Sequence, residues 1–193
     1  MTAVETPVPT SFGEVVHRKA GLGAKIAFAD AQRSVSFGDF EKRVGQLVDS
    51  FHRMGLKPGA RIAILSRNCV SAVECLAVMQ AGFIPVPLNW RLTAPELASL
   101  LRDCNPEVLV CDEQGASVAD EHLLPQVAVS HRIAIGQARP GWIDFEAFLS
   151  AGDPCAVYPI ARADDTALLI YTSGTTAAPK AAMISHKGWS RMP

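Results

Sequence analysis

Neither sign of charge prevails in this sequence: 18 Lys and Arg stand against 19 Asp and Glu, and no local block of either sign occurs. A nucleic-acid or anionic-membrane surface needs a cationic field, and such a balance does not supply one. Disorder is excluded by the same arithmetic, because 49% of the residues are hydrophobic and 19% charged. Long apolar runs are missing too. The longest charge-poor stretch, Cys75 to Trp90, is interrupted by Gln80, Pro85 and Pro87 and falls short of the ~18 residues a membrane span requires. There is no C-x-x-C pair. The five cysteines, Cys69, Cys75, Cys104, Cys111 and Cys155, are odd in number and read as reduced, buried small hydrophobes in a reducing compartment. Met1 to Pro9 carries Glu5 and two prolines and has no apolar centre, so no signal peptide is expected there. Repeats and low-complexity segments are also missing. What remains is a soluble, cytoplasmic globular chain of 193 residues, with no nucleic acid and no membrane span among its expected partners.

What is present is an alternation of short apolar runs with amphipathic segments. Ser11–Ala20 reads as a small helix, and Lys25–Ala29 and Arg33–Val35 as two short strands. Ser36 is placed to cap a helix, with Asp39 at its third position to meet the helix dipole. Phe37, Phe40, Val44, Leu47, Val48 and Phe51 then fall within an arc of about 100°, one apolar stripe laid on a core. Ile62–Leu65 and Val108–Cys111 are continuous apolar strands of the buried type. Between them lie a helix over Val70–Ala81, a strand at Ile84–Val86, and a helix opened by a Thr93/Glu96 capping box. Residues 115–160 are less legible, with a strand at Arg132–Ile135 and a short helix around Phe145 expected there. Thr166–Tyr171 closes the series as an apolar strand introduced by Asp164-Asp165. The alternation predicts an α/β fold, layered, with a mostly parallel sheet and helices on both faces, in one unit.

The last strand runs into Tyr171-Thr172-Ser173-Gly174-Thr175-Thr176-Ala177-Ala178-Pro179-Lys180. Four hydroxyls around a glycine, followed by a lysine, make a phosphate grip: backbone N–H groups of a tight loop form an anion nest, hydroxyls add donors, and Lys180 brings a point charge. Open α/β sheets place ligands at the carboxyl ends of strands, and this loop follows one. It is not a Walker A loop, since Lys180 lacks the preceding Gly and the following Ser or Thr. On composition alone, a solvated Ser/Thr-rich turn stays open as the bland alternative. His17, His52, His122 and His131 are scattered without metal-ligand spacing, His186 reads as a local structural histidine, and Asn89 and Arg91 as braces of the loop after their strand.

Thr172-Ser173-Gly174-Thr175-Thr176, Pro179-Lys180 and Ser185-His186 together resemble the phosphate-binding signature of the adenylate-forming (AMP-binding, acyl-CoA synthetase-like) superfamily. Gly55-Leu56-Lys57-Pro58-Gly59-Ala60-Arg61-Ile62-Ala63 and Ala81-Gly82-Phe83-Ile84-Pro85-Val86-Pro87-Leu88-Asn89-Trp90-Arg91-Leu92 resemble two further segments of that superfamily, in its order. The resemblance implies a two-step ligase. A carboxylic acid and ATP give an acyl-adenylate and pyrophosphate, and a thiol, usually coenzyme A, then displaces AMP. It implies Thr172, Ser173, Gly174, Thr175, Thr176 and Lys180 as the phosphate-loop residues, with Mg²⁺ sharing the neutralisation.

The pattern breaks where the superfamily has glycine and this chain has Ala177 and Ala181. A methyl in a left-handed conformation costs about 1–2 kcal/mol. Residues 1–193 correspond to roughly the first third of such an enzyme, so the C-terminal domain, with the rest of the adenylation site, is expected to be absent from this chain. Three readings compete: a ligase represented by its N-terminal part and inactive alone, a stand-alone phosphate- or nucleotide-binding remnant, and an interaction fragment. A complementing chain or self-association through an exposed apolar edge is expected under the last two.

Overall fold

A computed structural model describes residues 21–172 and 180–190 of the chain, so the expected Ser11–Ala20 helix and His17 lie outside the described residues. Ile26–Ala29 (β1) and Ser34–Ser36 (β2) pair antiparallel. Ser36 then caps Phe37–Arg53 (α1), its hydroxyl accepting from the Asp39 N–H at 3.1 Å. The expected stripe is the buried one: Phe40, Val44, Leu47, Val48 and Phe51 all face inward.

Arg61–Leu65 (β3), Ile84–Pro87 (β4), Val108–Cys111 (β5), His131–Ala134 (β6) and Ile143–Asp144 (β7) form a sheet in the order β4-β3-β5-β6-β7, with every pairing parallel. The strands alternate between two cores with a period of two. Ile62, Ile64, Val108, Val110 and Ile133 face α1 and the helix Val70–Ala77 (α2). Ala63, Leu65, Leu109, Cys111 and Ala134 face Ala94–Cys104 (α3) and Glu113–Val118 (α4). This is the α/β architecture with helices on both faces.

Three local departures have physical reasons. The helix expected across Val70–Ala81 tightens to a 3₁₀ turn at Val78–Ala81, which Gly82 ends at φ +82°. The illegible region holds α4, which runs into a π-helical turn at Ala119–Leu123, together with β7, while the short helix expected around Phe145 is found as Phe145–Ser150 (α5). α4 hides in the sequence because its Gly115 lowers helix propensity. Glycine is required there: a Cβ at Gly115 would sit 2.3 Å from the Leu65 carbonyl oxygen. Finally, Thr166–Thr172 (β8) does not extend the parallel sheet. It pairs antiparallel with Lys180–Ser185 (β9), and Ser185 then caps the short helix His186–Trp189 (α6). This hairpin packs beside β4. Leu169 and Tyr171 join the core under α3, while Ala167, Leu168 and Ile170 join Met79 on the α2 side.

All five cysteines are free. Cys75, Cys104 and Cys111 are buried, and Cys155 is exposed. Among the described residues Asp49 and Glu74 are the buried carboxylates, and Glu74, on α2 and fully enclosed, accepts from both Arg33 and Arg43.

Candidate phosphate-binding site

The carboxyl edge of the parallel sheet is the first place to look for an anion site, because the chain order reverses between β3 and β5 and helix N-termini converge there. The structure closes it from within. The Asp112 N–H donates to the Leu65 carbonyl at 3.3 Å across the strand ends. The Asp112 carboxylate accepts from the Gly115 N–H at 2.8 Å and from the Arg67 N–H at 2.9 Å, capping α4. Asp30 caps α2 in the same manner, accepting from the Val70 N–H at 2.8 Å and from the Gln32 and Arg33 amides. Those amide bonds hold the Asp30 carboxyl below its ordinary pKa. A cleft of about 610 Å³ remains beside these caps, lined by Asp30, Ser66, Arg67, Asn68, Asp112 and Glu113. Carboxylates already fill the helix-end donors, so the cleft offers a phosphate little.

The loop singled out by its hydroxyls lies elsewhere. Its flanking residues are the last of β8 and the first of β9, and Thr172 is paired directly opposite Lys180. Both are exposed, and neither side chain has a hydrogen bond or ion pair among the described residues. Opposed residues of an antiparallel pair carry Cβ atoms about 4.5–5.5 Å apart, so the Thr172 and Lys180 side chains spring from neighbouring points at the loop end of the hairpin. Ser173, Gly174, Thr175, Thr176 and Ala177 lie outside the described residues. Ala181, where the superfamily pattern has glycine, is a strand residue opposite Tyr171, and the one non-glycine residue with positive φ among those described is Asn105. The methyl at Ala181 therefore carries no conformational strain.

Two residues that sequence reasoning gave no role hold this end in place. The Tyr171 hydroxyl, one residue before Thr172, donates to Asp103 Oδ2 at 2.5 Å. Burial, and then the bond to Asp103, push the Tyr171 phenol well above its ordinary pKa. Asp103 belongs to the last turn of α3, and the Arg61 guanidinium at the start of β3 donates to the next carbonyl, that of Cys104, at 2.7 Å. The loop end of the hairpin is thus fastened near the amino end of β3, away from the carboxyl edge of the parallel sheet. No sequence signal couples Tyr171 to Asp103, because they lie 68 residues apart.

The remaining expectations fall into place locally. Asn89 accepts from the Arg91 N–H at 3.0 Å, and the Arg91 guanidinium lies 4.4 Å over the Trp90 ring, so both brace the loop after β4. His186 is buried, with its N–H donating to the Asp165 carbonyl at 3.1 Å and its imidazole held below the ordinary pKa by burial. Asp165 also accepts from the Arg162 N–H at 2.8 Å, as a cap ahead of β8. Among the described residues no group of three His, Cys, Asp or Glu stands close enough to hold a metal ion, and no helix is long and apolar enough to cross a membrane.

The hairpin loop, β3 and the loop after β4 match one family model over residues 16–192, that of the AMP-binding enzyme. The chain belongs to that family. Its AMP-binding relatives include the 4-hydroxybenzoate–CoA/benzoate–CoA ligase of Rhodopseudomonas palustris, 32% identical over 167 residues covering 86% of this chain and 31% of the ligase. The indoleacetate–CoA ligase of Aromatoleum aromaticum is 32% identical over 177 residues, 89% of this chain and 34% of the ligase. The fold matches the crystal structure of the anthranilate CoA ligase AuaEII in complex with anthranoyl-AMP with a TM-score of 0.86, at 23% identity, over 97% of this chain and 37% of that one. This AMP-binding chain spans about a third of the length of the relatives it matches.

Proposed function

We propose that this chain is the N-terminal part of an ATP-dependent acid–CoA ligase, with Thr172, Ser173, Gly174, Thr175, Thr176 and Lys180 as its grip on the nucleotide phosphates. The observation that carries the reading is the pairing of Thr172 with Lys180, exposed and without a side-chain partner among the described residues, at the fastened end of a hairpin in a chain of the AMP-binding enzyme family. In the reaction, a carboxylate oxygen attacks the α-phosphorus of ATP. The bond to the bridging oxygen breaks and pyrophosphate leaves with the electron pair. Charge grows on that leaving group, so an ammonium and hydroxyl donors fixed beside it lower the barrier. The thiol of coenzyme A then takes the acyl group and AMP departs.

Relatives named for benzoate and indoleacetate favour an aryl acid as substrate, with a fatty acid as the next class. The described residues do not fit a dedicated Mg²⁺ site, so this reading assigns Mg²⁺ to the nucleotide phosphates. Because the chain spans a third of its relatives, the 193 residues by themselves hold the grip and not a complete adenylation site. A cytoplasmic setting suits the five free cysteines.

A second reading, a non-catalytic phosphate-binding or interaction module, draws on exposed apolar side chains. Met183 on β9 is 72% exposed and Val157 93% exposed, and each offers an apolar contact to a complementing chain or a second copy.

Pyrophosphate exchange into ATP, with Mg²⁺ and a pool of aryl and fatty acids, separates the readings when run beside ATP-binding measurements on the same chain. The expected result is ATP binding that Lys180→Ala weakens about tenfold and Ala177→Gly tightens, with no exchange by the chain alone. Exchange above the Lys180→Ala background would show a complete site in these residues. Binding indifferent to both substitutions would remove the phosphate role.

A further inference from the structure

The loop end of the β8–β9 hairpin carries the two described residues of the grip, Thr172 and Lys180, and a side-chain bond ties that end to the body of the fold. That bond is Tyr171 Oη to Asp103 Oδ2, at 2.5 Å. Its neighbourhood is built for rigidity. Tyr171 packs its ring with the core under α3, and its backbone pairs with Ala181. Asp103 sits in the last turn of α3, which Glu96 fixes at the other end by accepting from the Thr93 N–H at 2.7 Å and from the Thr93 hydroxyl at 2.6 Å. The Arg61 bond to the Cys104 carbonyl pins the same last turn to the start of β3, an inner strand of the parallel sheet. A continuous chain of contacts thus runs from the amino end of β3, through Arg61, Cys104, Asp103 and Tyr171, to Thr172 and Lys180.

We propose that Tyr171 and Asp103 are positioning residues for phosphate binding, holding Thr172 and Lys180 side by side before the anion arrives. This rests on the phosphate-grip reading above. An ammonium on a long, flexible stem and a hydroxyl at the loop end of a two-stranded ribbon would otherwise be ordered at the expense of binding. A hydroxyl-to-carboxylate bond one residue before Thr172 holds that end against the fold, which is how a supporting contact raises affinity without touching the ligand. Neither residue contacts the phosphate. Tyr171→Phe keeps the ring in its core and deletes one oxygen, so the fold should survive it. Asp103→Asn keeps an acceptor for the Tyr171 hydroxyl and should act as the conservative rescue.

The experiment measures ATP affinity by calorimetry on the 193-residue chain and on its Tyr171→Phe, Asp103→Ala, Asp103→Asn and Lys180→Ala variants. Amide hydrogen exchange of β8 and β9 is followed in the absence of nucleotide. Tyr158→Phe, which deletes the chain's other tyrosine hydroxyl on the far side of α1, serves as control. The expected result is a loss of about 5–10-fold in ATP affinity for Tyr171→Phe and Asp103→Ala, the size of one partly exposed charge-assisted bond. Exchange at Thr172 and Lys180 should quicken alongside. Asp103→Asn should restore most of both, and Tyr158→Phe should leave ATP affinity unchanged. If the wild type binds ATP and Lys180→Ala weakens it while Tyr171→Phe binds as tightly as wild type, the positioning role is wrong and the grip stands. If the wild type binds no ATP, the grip and its positioning fall together, and a faster-exchanging hairpin in Tyr171→Phe would then mark the bond as structural.

Discussion

Replacing Glu74 with glutamine should cost the fold about 3 kcal/mol, and the figure follows from who is buried in its ion-pair network. The Glu74 side chain is 0% exposed, whereas Arg33 and Arg43 retain 30% and 20% of their exposure. Four bonds converge on it: Arg33 reaches Oε1 at 3.2 Å and Oε2 at 2.8 Å, and Arg43 reaches Oε1 at 2.7 Å and Oε2 at 3.2 Å. Burial opposes the charge on Arg43, but the bonds to Glu74 and then Glu146 outweigh it and raise its pKa. Removing one partner of a buried pair typically costs about 3–5 kcal/mol. The lower end applies because both guanidinium groups regain some water. In the glutamine variant one carboxylate oxygen becomes an NH₂ that faces donors and can accept nothing. Glu146, 55% exposed and bonded to Arg43 at 2.8 Å, is the internal control, and Glu146→Gln should cost under about 1 kcal/mol. Urea unfolding followed by far-UV circular dichroism reads both. For a chain of this size the Glu74→Gln loss corresponds to a melting point lowered by about 6–12 °C. Equal midpoints for the two variants, or a Glu74→Gln loss below about 1 kcal/mol, would refute the reasoning.

Stability should fall as the pH drops from 7.5 to 5.5. His52 and His186 are both held below the ordinary histidine pKa by burial, so the unfolded chain takes up their protons first. Their contribution is therefore present above about pH 6.5 and lost below it. The measurement is the urea midpoint at the two pH values. A midpoint that stays level, or rises toward pH 5.5, would show that the buried imidazoles do not govern this window. Asp112→Ala should lower stability by about 1–2 kcal/mol, because it removes the cap of α4 and the acceptor of the Arg67 N–H, yet leave ATP affinity unchanged. A loss of affinity comparable to that of Lys180→Ala would relocate the phosphate site to the carboxyl edge of the sheet.

The sequence was most legible where one local rule decides the structure. The Ser36 cap and the stripe from Phe40 to Phe51 specify α1 without outside help, and Ile62–Leu65 and Val108–Cys111 are too apolar to be anything but buried strands. Legibility failed where distant partners decide. Gly115 reads as a helix breaker and is in fact the residue that lets α4 approach the Leu65 carbonyl. Lys180–Ser185 carries small side chains and no alternation, and becomes a strand because β8 offers it a ladder. Glu74 reads as the polar side of a helix, since nothing near it announces that Arg33 and Arg43 will converge on it. The proposed phosphate loop is a compromise between the two cases. Its residue types stand out in order, but its attachment to a separate hairpin, fastened through Asp103, depends on a contact that spans 68 residues.

That attachment explains why a parallel sheet with a vacant-looking reversal point carries its candidate site on a ribbon beside it. At the carboxyl edge the donors that attract phosphate, the first amides of α2 and α4, are neutralised by Asp30 and Asp112, which stitch the strand ends to the helices. The edge gives rigidity and surrenders its anion affinity. A hairpin has the complementary property. Antiparallel pairing sets a residue of each strand directly opposite the other, so one hydroxyl-bearing and one ammonium-bearing side chain start from adjacent positions at its loop end without any helix. A ribbon of two strands is marginal by itself, and this one is made firm from both sides. Leu169 is buried and Tyr171 half-buried toward α3, while Ala167 and Leu168 are buried and Ile170 half-buried toward Met79. The sheet therefore serves the proposed chemistry as an anchor: its stiffness reaches Thr172 and Lys180 through Arg61, the end of α3, and Tyr171. Substitutions along that route should disturb phosphate binding more than substitutions of equal severity in the cleft at the carboxyl edge.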